Sequence, residues 1–198
     1  MKILVCPLIY GNRPMNIIDE NISIAGMQSF DIKYINTEGI ANAMNEGIYA
    51  FQEGEYDYLA YLANDIIEPK DWLVKKINAI ESYPDAGIIA SSLDIPVFDM
   101  KNDHIISNWL MNKKVIDMIG LFNESMFPYG PIDLDYCERV WVGGLKTYYC
   151  IDCVAHHVGS HATGNEYGWD KSELVGKYWK IYEDNIIAYK DGTKSIKI

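Results

Sequence analysis

Three short stretches of the chain carry side chains of the right type and spacing to do chemistry. The first is Tyr61-Leu62-Ala63-Asn64-Asp65-Ile66, an apolar run that delivers a carboxylate at its end. An Asp at the carboxyl end of a buried strand can hold Mg²⁺ or Mn²⁺ against a pyrophosphate, because hard cations take oxygen ligands and share them with phosphates. The same Asn-Asp pair also suits a plain turn. The second stretch runs from Tyr129 to Arg139 and sets Asp133 and Asp135 at the start of a helix. Asp135 is expected to cap that helix by accepting from an orphan backbone N–H, which leaves Asp133 to point into a cleft as a general base. Serving the helix macrodipole is an alternative role for both acids. The third, Val154 to His161, brings His156, His157 and His161 together just after a strand. Neutral imidazole is a good metal ligand, although a histidine pair on a loop is also an ordinary polar surface. A zinc hydrolase would want HExxH or a supporting Cys/His set, and neither is present.

The cysteines give no competing chemistry. Cys6, Cys137, Cys150 and Cys153 have no disulfide-scaffold rhythm. Cys150 and Cys153 form a CxxC pair, but in a β-rich stretch rather than at a helix start, and no second pair completes a zinc set. They read as half-buried thiols in a reducing compartment.

Positioning these groups requires strands and helices in alternation. Ile3 to Leu8, Ile32 to Ile35, Tyr58 to Ala63 and Gly87 to Ser91 read as strands. Between them, Met15 to Ala25, Ile40 to Phe51 and a segment begun by Pro69 and Asp71 repeat apolar residues at helical spacing. Such alternation predicts a doubly wound, mostly parallel α/β sheet with its ligand beyond the carboxyl ends of the strands. Asp94 to Asn108 reads as irregular. Helices are then expected over Lys113 to Ile119, Leu134 to Val142 and Glu173 to Tyr189, with β segments over Lys146 to Ile151 and Cys153 to His156.

Bulk properties narrow the partners. A formal charge of −11 and the lack of a basic stripe argue against a nucleic-acid partner. No run approaches the length of a membrane span, and the opening residues read as a strand rather than a signal peptide. A soluble, cytoplasmic, single-domain protein is expected.

Taken in order, the pieces resemble the inverting GT-A glycosyltransferases of family 2, rhamnosyltransferase-like members among them. Asn45-Glu46-Gly47-Ile48 resembles that family's nucleotide-side helix, Ala63-Asn64-Asp65 its DxD motif, and Ile119-Gly120-Leu121-Phe122-Asn123-Glu124 its Ile-Gly-x-Phe-Asp-Glu stretch. Asp133 to Arg139 followed by Gly144 is similar to the base motif, and His157-Val158-Gly159-Ser160 to the late histidine motif. Three positions depart from the pattern: Ala63 replaces the first DxD acid, Ile132 the acid before the base, and Met44 a basic residue.

The resemblance implies a GT-A domain over residues 1–198, with a nucleotide-sugar half (1–92) and an acceptor half with a closing helix (93–198). It implies Asp133 as base, and Asp65 with His157, or His156 in the other register, at Mn²⁺ or Mg²⁺. A UDP- or GDP-type sugar would meet Pro7, Leu8, Tyr10, Asn36, Asn45, Asn64 and Asp65. A glycan or protein acceptor would meet Trp109, Phe127 and Tyr129. Two other readings stay open: a catalytically silent binding module of the same fold, and a metal-dependent hydrolase built on Asp65 with His156, His157 and His161.

Overall fold

Every residue of β1 (Ile3–Leu8) is buried, and successive side chains feed two different cores: Leu4, Cys6 and Leu8 one, Ile3 and Val5 the other. That is the signature of a strand covered by helices on both faces. The computed structural model describes residues 1–9, 15–93, 108–158 and 171–198. Beyond β1 the elements are α1 (Asn16–Ser23), β2 (Asp31–Ile32), α2 (Ile40–Glu53), β3 (Tyr58–Ala63), β4 (Ile66–Ile67), α3 (Trp72–Ser82) and β5 (Ala86–Leu93). There follow β6 (Trp109–Asn112), α4 (Lys113–Ile119), α5 (Ile132–Val142), β7 (Lys146–His157) and α6 (Lys171–Lys190). Among the described residues the strands form one sheet in the order β2-β1-β3-β6-β5-β7-β4. Residues of α2, α4, α5 and α6 join the core on one face, and residues of α1 and α3 join that on the other.

The sheet is mixed rather than wholly parallel. β1 pairs in parallel with β2 and β3, and β5 with β7, but β6 runs antiparallel between β3 and β5, and β4 runs antiparallel to β7. The four-residue β6 was not anticipated: Trp109-Leu110-Met111-Asn112 is too short for a period to show. The strand expected over Ile32 to Ile35 shrinks to Asp31–Ile32 plus a single Leu8–Ile35 bridge. The two β segments expected near the end are one strand. Its pairing with β5 jumps from Cys150 at Ser91 to Val154 at Ser92, so Ile151, Asp152 and Cys153 bulge out of register. The thiols of Cys150 and Cys153 are buried and unbridged at that bulge.

Turn chemistry sets where the helices begin and stop. Asn112 caps α4 by accepting from the Val115 amide at 3.1 Å. Gly120 ends the helix with φ +73°, a conformation in which a side chain is strained. Asp135 does not cap α5. Pro131 is the N-cap residue and the helix starts at Ile132, which places Asp135 inside the first turn and fully buried. There its Oδ2 meets Arg139 Nε at 3.0 Å, and its Oδ1 accepts from Asn185 Nδ2 and the Tyr189 hydroxyl, each at 3.2 Å. Arg139 Nη1 in turn donates to the carbonyls of Ile119 and Ile196, each at 3.2 Å. This buried pair therefore ties α5 to α4, α6 and the C-terminal residues.

Candidate active site at the carboxyl ends of β1 and β3

A cavity of about 170 Å³ opens where the carboxyl ends of β1 and β3 meet the start of β6 and the entry to α5. Leu8 comes from β1, Ile40 and Met44 from α2, Tyr61 and Ala63 from β3, and Asn108 and Trp109 from the head of β6. Ile66, Tyr129, Gly130, Ile132 and Asp133 complete the wall. The three positions that depart from the family pattern, Met44, Ala63 and Ile132, thus all face one space and make it apolar.

Asp133 is the second residue of α5, where the helix dipole favours a carboxylate, and its Oδ1 accepts from the Leu134 amide at 3.0 Å. Tyr129 lines the same cavity as Asp133. Burial pushes its phenol above the usual tyrosine range, and the charges of Asp133 and Asp65 push it further. Both carboxylates therefore act on the same phenol, which stays protonated at neutral pH.

Asp65 leaves β3 one residue beyond Asn64 and is held by backbone bonds. Its carbonyl accepts from the Val158 amide at 2.8 Å, and the next residue, Ile66, pairs with His157. This register brings His157 Nε2 to 3.3 Å from Asp65 Oδ2, with both side chains largely shielded from solvent. His156 and His157 lie in β7 rather than on a loop, so they point to opposite faces, and His156 is exposed. His161 lies outside the described residues.

A divalent cation fits this pair as a shared site. Among the described residues no group of three or more His, Cys, Asp or Glu side chains could cage an ion. Mg²⁺-type ions are, however, commonly held by one or two carboxylates plus substrate phosphates, and two adjacent ligands of an octahedral ion at about 2.1 Å sit about 3 Å apart. The oxygen and nitrogen of Asp65 and His157 are spaced for that arrangement.

Behind the cavity lies a polar cluster that sequence reasoning missed. Asn108 Oδ1 accepts from the Ala63 amide at 2.7 Å, fixing the end of β3, while its Nδ2 donates to Glu68 Oε1 at 2.7 Å. Glu68 also accepts from the Ser91 hydroxyl at 2.8 and 2.7 Å and pairs with Lys76 at 3.0 Å, both charges fully buried. Lys76 donates a second bond to the Asn108 carbonyl at 3.1 Å. Removing one charge of such a pair strands the other. Lys76→Met is expected to cost about 3 kcal/mol in urea unfolding, whereas the double change Glu68→Leu with Lys76→Met should recover most of it. A double variant no more stable than the single one would show that the cluster does not act as a charge pair.

No family model and no curated protein matches the chain. Solved structures do match its fold. GalNAc-T7 with UDP, GalNAc and Mn²⁺ superposes with a TM-score of 0.63 at 12% identity, over 95% of this chain and 50% of that one. A mutant of the Drosophila β-1,4-galactosyltransferase 7 in complex with manganese, UDP-Gal and xylobiose gives 0.58 at 13%, over 81% and 72%. A197 from STIV gives 0.57 at 15%, over 81% and 87%. The chain has a GT-A-like α/β fold. At these identities the likeness is one of fold, and the chain spans half the length of the GalNAc-T7 structure.

Within this GT-A-like fold the expected ligand residues are placed unevenly. Leu8, Trp109 and Tyr129 line the cavity, whereas Pro7 is buried in β1 and Asn64 beside the cavity. Asn36 is exposed just beyond Ile35, and Tyr10 lies outside the described residues. Asn45, expected at the nucleotide, is buried. Its Nδ2 donates to the Phe122 carbonyl at 3.0 Å and to Glu124 at 2.7 Å, and its Oδ1 accepts from the Phe122 amide at 2.7 Å. It clamps α2 to the Phe122-Asn123-Glu124 stretch, joining two of the motifs read from sequence. Phe127 does not line the cavity. Its ring lies over Gly39 at the start of α2, where a Cβ would come within 2.6 Å of it. Among the described residues no helix is long and apolar enough to cross a membrane.

Proposed function

We propose that the protein is an inverting glycosyltransferase that moves a sugar from a UDP- or GDP-type donor to a hydroxyl of a glycan or protein acceptor. The observation that supports this reading is a cavity in a GT-A-like fold that Asp133 lines, with Ala63 at the end of β3 and Ile66 also in its wall and Asp65, paired with His157, carried by the turn between them. Asp133 accepts the acceptor's proton as the hydroxyl attacks, the point at which that hydroxyl becomes acidic. Asp65 and His157 hold Mn²⁺ or Mg²⁺ against the donor diphosphate. The cation supplies Lewis-acid stabilisation of the departing charge. Leu8 and Asn36 lie on the nucleoside side. Trp109 and Tyr129 wall the sugar, and Tyr129 remains a hydrogen-bond donor there because its phenol is held protonated.

Ala63 and Ile132 in the cavity wall favour a second reading, a silent module that binds the donor without transfer. A thermal-shift screen separates binding from its absence. UDP or GDP at about 100-fold its dissociation constant should add about 2.7 kcal/mol of stability with Mn²⁺, a rise of roughly 5–10 °C for a chain of this size, and much less in EDTA. His157→Ala should remove most of that linkage and His156→Ala little of it. Equal shifts in Mn²⁺ and EDTA would remove the metal from the reading, and the reverse histidine order would discard the Asp65–His157 site.

A further inference from the structure

Tyr129 walls a second space. With Ser172, Val175, Gly176 and Trp179, all from α6, it lines an open depression of about 430 Å³. Those four positions fall on one helical face. Among the described residues, a Cβ added at Gly176 would meet nothing within 4 Å, which leaves room over the depression at that turn. Trp179 is 41% exposed yet held in place: its Nε1 donates to Glu183 at 3.0 Å, and its ring centroid lies 5.2 Å from that of Tyr182. Tyr178, the neighbouring residue, donates its hydroxyl to the Phe127 carbonyl at 2.6 Å and so ties α6 to the loop that carries Tyr129.

We propose that this depression is a saccharide subsite in which Trp179 offers an aromatic face to a neutral sugar ring, adjoining the Asp133 cavity through Tyr129. A pyranose has one face of C–H groups, which lies well on an aromatic ring, and a rim of hydroxyls that needs water or polar partners. An open aromatic depression meets both needs. Its role as the acceptor subsite rests on the transferase reading; its capacity to bind sugar does not.

Saturation-transfer NMR with xylobiose, cellobiose and N,N′-diacetylchitobiose tests it, with UDP and Mn²⁺ titrated into the same samples. At least one disaccharide should bind the native protein through its ring protons. Trp179→Ala should weaken that binding about fivefold or more, the scale of one aromatic contact, and Gly176→Leu, which fills the depression, should do the same. Both changes lie on an exposed helix face, and UDP binding should not move. If no disaccharide binds, or binding survives both changes, the proposal fails even where UDP binds. Dimerisation that depends on Trp179 would overturn it in favour of a second copy of the chain as occupant. If UDP fails to bind while Trp179→Ala still abolishes saccharide binding, the subsite stands and the transferase reading falls.

Discussion

Asp133→Asn should lower sugar transfer by about 10² or more, the usual scale for losing a positioned general base, while leaving the protein folded. Asn keeps the size of the side chain and can still accept from the Leu134 amide, as Asp133 does at 3.0 Å. The loss in stability should match the helix-dipole contribution of one half-buried first-turn carboxylate, about 0.3–2 kcal/mol. UDP binding with Mn²⁺ should hardly change, because Asp65 and His157 pair with each other on the β3–β4 turn and β7 rather than on α5. Rates of nucleotide release with donor and acceptor, measured beside melting temperature, distinguish the outcomes. Near-normal turnover would remove Asp133 as the base.

Asp135, two residues on, should behave in the opposite way. Asp135→Ala leaves Arg139 buried without its counter-charge and deprives Asn185 and Tyr189 of their acceptor. A stranded buried charge costs about 3–5 kcal/mol, and each unsatisfied donor adds about 1–3. The sum, about 5 kcal/mol or more, approaches the whole stability of many domains. Urea unfolding should therefore show a protein at or beyond the edge of folding. Even Asp135→Asn, harmless for a helix cap, should be severely destabilising here. A mild effect of either change would mean that the pair is not what ties α5 to α6.

The contrast between these neighbours shows what the sequence conveys and what it withholds. Local period and punctuation are readable: the apolar run of β1, the helical spacing of α2, the stop of α4 at Gly120 and that of α5 at Gly143. The carboxylate beyond β3 is readable too, because a buried strand followed by Asn64-Asp65 must deliver it at the carboxyl ends of the strands. What fails is anything decided by partners far along the chain. Asp135 looks like a cap until Arg139, Asn185 and Tyr189 are seen around it. Glu68, Lys76, Ser91 and Asn108 stand far apart in the sequence, and their shared burial depends on β5 and β6 coming together. The register of β4 on β7 puts His157, the histidine of the His157-Val158-Gly159-Ser160 spacing, beside Asp65.

The most direct test of the account is the paramagnetic resonance signal of Mn²⁺ titrated with UDP in the presence of the protein. The free-ion signal should fall only when protein and UDP are both present, and Asp65→Ala should restore it. A signal that ignores UDP, or one that Asp65→Ala leaves unchanged, would contradict the claim that Asp65 holds a cation against a nucleoside diphosphate.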